Sequence, residues 1–190
     1  MSFMKRQWFG IVGRNGSGKS SVCDHFKSRG FYVVSLSDVV RDYVKQMGGG
    51  DDRDSLTNQA NQLKHQHGFD YFAKQAIACA QSHDRVIFDS IRHPDEVHLL
   101  MKQGTHLMGI NVDLRVCYER IQLRKKGTDF VSFDEFKRQD SREMGGESEG
   151  QHIQVCLEHC HIHVTNNGSL ATLIQCIDTI IDNHTNECIQ

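Results

Sequence analysis

Between the apolar run Trp8 to Val12 and the helix-compatible stretch SSVCDHFKSRG at 20–30 stands GRNGSGKSS, residues 13–21, and this segment constrains the chain more than any other. The order reads strand, glycine loop, helix, with Gly30 as a helix stop and the β-branched run FYVVS (31–35) as a second, buried strand. Gly13, Gly18, Lys19 and Ser20 fit the spacing G-x-x-x-x-G-K-[ST], with Gly16 extra, in the context that gives the match meaning. Such glycines let consecutive backbone N–H groups turn inward around phosphate oxygens, and the following helix adds the positive end of its dipole. Lys19 brings a point charge to the terminal phosphates, and the Ser20 hydroxyl suits Mg²⁺.

The candidate donor-binding residues are therefore Gly13, Asn15, Gly16, Ser17, Gly18, Lys19, Ser20 and Ser21, with ATP and Mg²⁺ as the expected ligands. Further along, RVIFD (85–89), HLMGINV (106–112) and HIHV (161–164) read as strands. Residues 38–47, 55–67, 94–103, 115–126 and 169–183 read as helices. This alternation predicts an α/β fold, a parallel sheet of about five strands covered by helices on both faces. GGGDDRD (48–54) is the clearest break and would let an inserted helical unit move, while 127–150 is polar, Gly-containing and without a strand.

In RVIFDSIRHPDEV the apolar run ends on Asp89, which at the carboxyl end of a parallel strand would lie in the ligand crevice and hold the magnesium shell. Arg92 follows three residues later and is a candidate for a second phosphate.

Length and composition bound the remainder. A chain of 190 residues with net charge −2 fits one domain and gives no basic excess for nucleic acid. Seven scattered Cys, no signal-peptide pattern and no membrane-length apolar run imply reduced thiols in a cytoplasmic protein; a monomer or homodimer is expected.

Taken together, GRNGSGKSS, SLSDVVRDYV, IFDSIRHPDEV, CYERIQLRKKG, FKRQDSRE and VTNNGSL resemble, in order, the nucleoside-monophosphate-kinase-like branch of P-loop proteins. The likeness is greatest to an adenylate-kinase-related group and to the P-loop domain preceding some deoxycytidylate-deaminase-type proteins, and more distant to dephospho-CoA kinases. It implies a P-loop three-layer sandwich over 1–190, with an acceptor-side helical insert at about 37–82 and a lid at about 120–150. SLSDVVR matches T-G-D-x-x-R, so Asp38 and Arg41 would be acceptor-side residues, Arg41 holding a monophosphate. Asp89 and Arg92 match D-G-x-x-R, with Ser90 in the place of the family's Gly. Arg120, Arg124, Lys125 and Lys126 resemble the start of the lid and Arg138 with Arg142 its return, while TNNGS, including Asn167, resembles the loop on the donor adenine.

The lid also has its own physical case. Arg120 and Arg124 are one helical turn apart and share a face. Phosphoryl transfer gains most from cations brought onto the equatorial oxygens as water is excluded. Lys125 and Lys126 read instead as solvated side chains.

An acceptor phosphate needs positioning cations, whereas an alcohol must lose a proton to a nearby base. Arg41 and Arg92 favour a phosphate; Asp38 is the base candidate for a hydroxyl, or simply a helix cap. The expected activity is transfer of the γ-phosphoryl group to a nucleoside or deoxynucleoside monophosphate. Two alternatives stand beside it, a dephospho-CoA-kinase-type enzyme acting on a hydroxyl and a non-catalytic nucleotide-sensing module. Cys156, His159, Cys160, His161 and His163 lie close together, but their spacing fits no zinc pattern, and they read as a strand with partly buried thiols and rings.

Overall fold

The computed structural model describes residues 6–46, 53–124, 131–145 and 151–186. Residues 47–52, Lys125, Lys126, 127–130 and 146–150, on which part of the expected insert and lid falls, lie outside the described residues. Five strands form the frame: β1 (Gln7–Val12), β2 (Tyr32–Ser35), β3 (Arg85–Asp89), β4 (His106–Asn111) and β5 (Ile162–Thr165). All pairings are parallel, in the order β2-β3-β1-β4-β5. The expected α/β three-layer sandwich is thus the observed architecture. Because β1 is central, the loop leaving it opens at the middle of the sheet's carboxyl edge, between strands that run on to opposite sides.

Around the sheet run α1 (Lys19–Ser28), α2 (Leu36–Gln46), α3 (Arg53–His67), α4 (Tyr71–Ala80), α5 (Pro94–Lys102), α6 (Leu114–Arg124), α7 (Phe133–Met144), α8 (Ile153–Glu158) and α9 (Leu170–Asn186). Strand side chains alternate between two apolar layers, as the period of two demands. Trp8, Val12, Val86, Phe88 and Leu107 face Ala73, Ala76 and Ala80 of α4, Val97 and Leu100 of α5, and Cys156 of α8. Phe9, Ile11, Ile87, Met108 and Ile110 face Val22 and Phe26 of α1, Ile121 of α6, Phe136 of α7, and Ile177 and Ile181 of α9. No helix among the described residues is long and apolar enough to cross a membrane.

Three helices were not read individually from the sequence, although the first, α4, falls inside the expected helical insert. In α4 the buried positions Phe72, Ala73, Ala76, Ile77 and Ala80 recur at helical spacing, but the Ala side chains carry little apolar signal and count only because the helix can lie close to the sheet. The polar stretch 127–150 contains α7, started by the Ser132 hydroxyl, which accepts from the Glu135 N–H at 3.2 Å, and ended at Gly145 with φ 137°. Its one fully buried apolar side chain is Phe136, with Phe133 and Met144 only partly buried at its ends, too sparse a pattern to read as amphipathic. The thiol and imidazole cluster is likewise not a strand throughout: Cys156 lies on α8 and Cys160 just beyond it, both buried. Burial pushes the Cys160 thiol up to about 12 and raises that of Cys156 further. Among the described residues no three His, Cys, Asp or Glu side chains converge to hold a metal.

Candidate functional site

The glycine loop turns from β1 into α1 with Gly18 at φ 96°, a left-handed conformation. A Cβ at Gly18 would come within 2.6 Å of the Asn166 Nδ2, so the position requires glycine on both conformational and spatial grounds. That Asn166 amide donates to the Ser17 carbonyl at 2.9 Å and ties the end of β5 to the loop. The Lys19 ammonium curls back over the loop, donating to the carbonyls of Gly13 at 2.6 Å and Arg14 at 2.9 Å. Burial lowers the Lys19 pKa from its ordinary 10.5, against the opposing pull of Asp89. Ser20 is exposed in the first turn of α1.

A cavity of about 920 Å³ runs from this loop along the carboxyl ends of the strands. Its walls bring together the loop residues Gly13 and Asn15 to Ser21 with Arg41, Asp89, Arg92, Arg120 and Arg124. Asp89 ends β3, and its Oδ1 is buried without a hydrogen-bond partner among the described residues. An orphaned carboxylate oxygen is costly unless a ligand, ion or water meets it. With the Ser20 hydroxyl it makes an all-oxygen donor set of the kind Mg²⁺ prefers.

Ser90, standing where a glycine was expected, adopts φ 64°, the left-handed region that favours glycine. The turn geometry is kept despite the side chain, whose hydroxyl donates to Ser37 Oγ at 3.2 Å. Ser37 in turn lies 2.9 Å from Ser35 Oγ. Two residues on, Arg92 is held along its length. Its N–H donates to Glu96 Oε2 at 2.9 Å, its carbonyl accepts from the His152 N–H at 2.8 Å, and its guanidinium donates to Gln151 Oε1 at 3.3 Å.

Not every expected residue reaches this cavity. Asp38 is 63% exposed, ion-paired with Arg41, and absent from the cavity wall. It is not the cap of α2 either, because its own N–H donates to Ser35 Oγ at 3.4 Å. Ser35 is the capping residue and Asp38 a first-turn carboxylate suited to the helix dipole.

Arg138 is 69% exposed and paired with Glu135 at 2.6 Å, and Arg142 is also exposed; neither lines the cavity. The reason is helical phase. With Phe136 anchored in the core, the inward face of α7 carries Gln139, Asp140 and Glu143, and Arg138 and Arg142 fall on the opposite side. Asp140 meets Arg14 of the phosphate loop at 3.1 Å, and burial raises its carboxyl above the ordinary range while Arg14 opposes the shift.

On α6, Arg120 is docked to the segment after β5 rather than left in solvent, donating to the Gly168 carbonyl at 3.0 Å. Its Nη1 is buried and unpartnered among the described residues. Asn167 accepts from the Asp113 N–H at 2.9 Å and lines a separate cavity of about 430 Å³ beside Arg14, Asn111 and His163. Asn166, one residue earlier, is the one that touches the loop. Sequence reasoning also missed Lys64, Glu96 and Gln151 on the cavity wall.

The profile of the family described as an AAA domain matches residues 10–144, which takes in the phosphate loop, Asp89, Arg92 and α7. The UPF0200/UPF0201 protein of Archaeoglobus fulgidus is 31% identical over 90% of this chain and 54% of its own length. The chain therefore spans about half of that relative. Among solved structures, shikimate kinase from Bacteroides thetaiotaomicron superposes with a TM-score of 0.62 at 9% identity, covering 93% of this chain and 98% of that one. Dephospho-CoA kinase from Campylobacter jejuni gives 0.58 at 14% identity, covering 94% and 97%. At such identities the likeness is one of fold.

Proposed function

Because the chain belongs to the AAA domain family of P-loop proteins, we propose that it is an ATP- and Mg²⁺-dependent phosphotransferase. The acceptor is a small molecule that already carries a phosphate, most directly a nucleoside or deoxynucleoside monophosphate. One observation carries this reading. Arg41 and Arg92 line the same cavity as the phosphate loop, while Asp38, the base candidate for a hydroxyl, is 63% exposed, paired with Arg41 and not part of the cavity wall.

In this reading the loop amides and the amino end of α1 hold the β- and γ-phosphates of ATP, and Lys19 exchanges its two carbonyl partners for phosphate oxygens. Ser20 and Asp89 would hold Mg²⁺, which supplies charge neutralisation between the phosphates when bound. Arg41 and Arg92 orient the acceptor phosphate, already ionised at neutral pH, so no general base is required. Arg120 and Arg124 place positive charge on the donor side, Arg120 held ready by the Gly168 carbonyl. Preorganised cations of this kind are the main source of rate in phosphoryl transfer.

The test is product formation from ATP and Mg²⁺ with each ribo- and deoxyribonucleoside monophosphate and with dephospho-CoA, for wild type, Lys19→Ala and Arg92→Ala. Transfer to a monophosphate that Arg92→Ala abolishes supports the reading. Transfer to dephospho-CoA alone would move the assignment to a hydroxyl-directed kinase, in keeping with the fold. Saturable ATP binding with no transfer to any acceptor would replace it with a nucleotide sensor.

A further inference from the structure

Lys64 is 9% exposed and Glu96 2% exposed, with Lys64 Nζ 3.5 Å from Glu96 Oε1. Lys64 comes from α3 and Glu96 from α5, and both line the large cavity next to Arg92. Burying two ions costs several kcal/mol each before their attraction offsets it, and an apolar pair of similar volume commonly does as well for stability. A capping role explains only half of Glu96. Its Oε2 accepts from the N–H groups of Arg92 at 2.9 Å and His93 at 3.1 Å, closing the box that starts α5. Glutamine would close the same box without burying a charge. The other oxygen faces Lys64, so one carboxylate grips the main chain of one basic residue and the ammonium of another.

We propose that Lys64 is a third acceptor-binding cation, and that Glu96 fixes Lys64 and Arg92 together as one recognition unit for a phosphate dianion. This rests on the phosphotransferase reading and adds to it a residue from the helical insert. Two cations from different elements, α3 and the β3–α5 loop, are thereby held at one wall, and the separation between them is set before the acceptor arrives. Arg41, from α2, lines the same cavity. Glu96 is a positioning residue here, because its oxygens are taken up by Arg92, His93 and Lys64.

The experiment uses the full chain, saturating ATP and Mg²⁺, and each nucleoside monophosphate that wild type turns over. Lys64→Met should raise the acceptor KM about ten- to hundredfold, the range for losing a charged hydrogen bond, with the ATP KM within about twofold. Lys64→Arg should restore part of the loss. Glu96→Gln should also raise the acceptor KM, since the N–H contacts survive and the anchor of Lys64 does not. The double variant Lys64→Met with Glu96→Gln is decisive. If Lys64 binds the acceptor, affinity stays low; a return to the wild-type KM would show that Lys64 only neutralises Glu96 and would overturn the proposal. An unchanged KM in Lys64→Met would overturn it as well. Should Lys64→Met fail to fold, Lys64→Gln reads the same contact. Arg92→Ala separates the two levels: a large effect there with a silent Lys64 removes only this inference, whereas no effect of Arg92→Ala, or no turnover of any monophosphate, removes the acceptor assignment on which it rests.

Discussion

Replacing Ser90 by glycine should leave stability nearly unchanged, although it deletes a hydrogen bond, and replacing it by valine should cost about 2 kcal/mol. Three effects compete at this residue. The left-handed backbone, φ 64°, costs an L-residue roughly 1–2 kcal/mol that glycine does not incur. Against that, glycine loosens the unfolded chain by about 0.4–1 kcal/mol. It also loses the hydroxyl that donates to Ser37 Oγ at 3.2 Å, about 1 kcal/mol for a bond of this kind. The sum for Ser90→Gly lies within about 1 kcal/mol of zero. Valine keeps the unfavourable backbone, worsens it by β-branching and still loses the hydroxyl, hence the larger loss. Urea unfolding with an unchanged m-value measures the difference as a shift of midpoint. Ser90→Gly should also keep transfer activity, since the turn that sets Asp89 against Arg92 is retained. Equal destabilisation by glycine and valine would refute the reasoning, because it would show that the left-handed turn is not what residue 90 is strained by.

Breaking the Arg14–Asp140 pair with Arg14→Ala should cost about 3 kcal/mol at neutral pH, the scale for stranding a buried charge. Burial holds the Asp140 pKa above its ordinary 3.8, so stability is lost as pH rises from 3.8 through that raised value, and the loss is complete above it. The penalty of Arg14→Ala should therefore shrink as pH falls towards 4, and thermal melts from pH 4 to 8 would show it. Lys19→Met should lower turnover by on the order of hundredfold or more. The Lys19 pKa is lowered in the fold, so between that value and 10.5 the unfolded chain binds more protons. Wild-type stability relative to Lys19→Met should consequently rise with pH across that window, as urea midpoints at several pH values would report. Arg120→Ala should raise the ATP KM about tenfold, whereas Arg138→Ala and Arg142→Ala, on the outer face of α7, should change activity less than about twofold. Steady-state kinetics on the three variants checks the placement.

Much of the donor side was legible along the chain because its parts are local. Gly13 to Ser21 form one loop, and Asp89 is recognisable as the end of an apolar run. Arg41 and Arg92 were legible at one remove, through spacing to a carboxylate. The faces of α7 were not. Its one fully buried apolar side chain is Phe136, and until that side chain has a core to enter, nothing says whether Arg138 and Arg142 or Asp140 and Glu143 turn inward. Asn166 and Asn167 differ by one residue, and at the end of β5 a shift of one residue reverses the face; Asn166 went to the phosphate loop and Asn167 to the neighbouring cavity.

By itself the sequence determined the strand-loop-helix of the phosphate loop, the parallel sheet implied by its alternating elements, and the residue types offered to the two proposed ligands. Those are consequences of backbone freedom at glycine and of hydrophobic periodicity, both of which act over a few residues. Only the tertiary structure decided which charges meet. The pairing of Lys64 with Glu96, the docking of Arg120 on Gly168 and the tie from Arg14 to Asp140 each join residues distant in the chain. Burial and helical phase settle such contacts, and both come into being only when the helices close on the sheet.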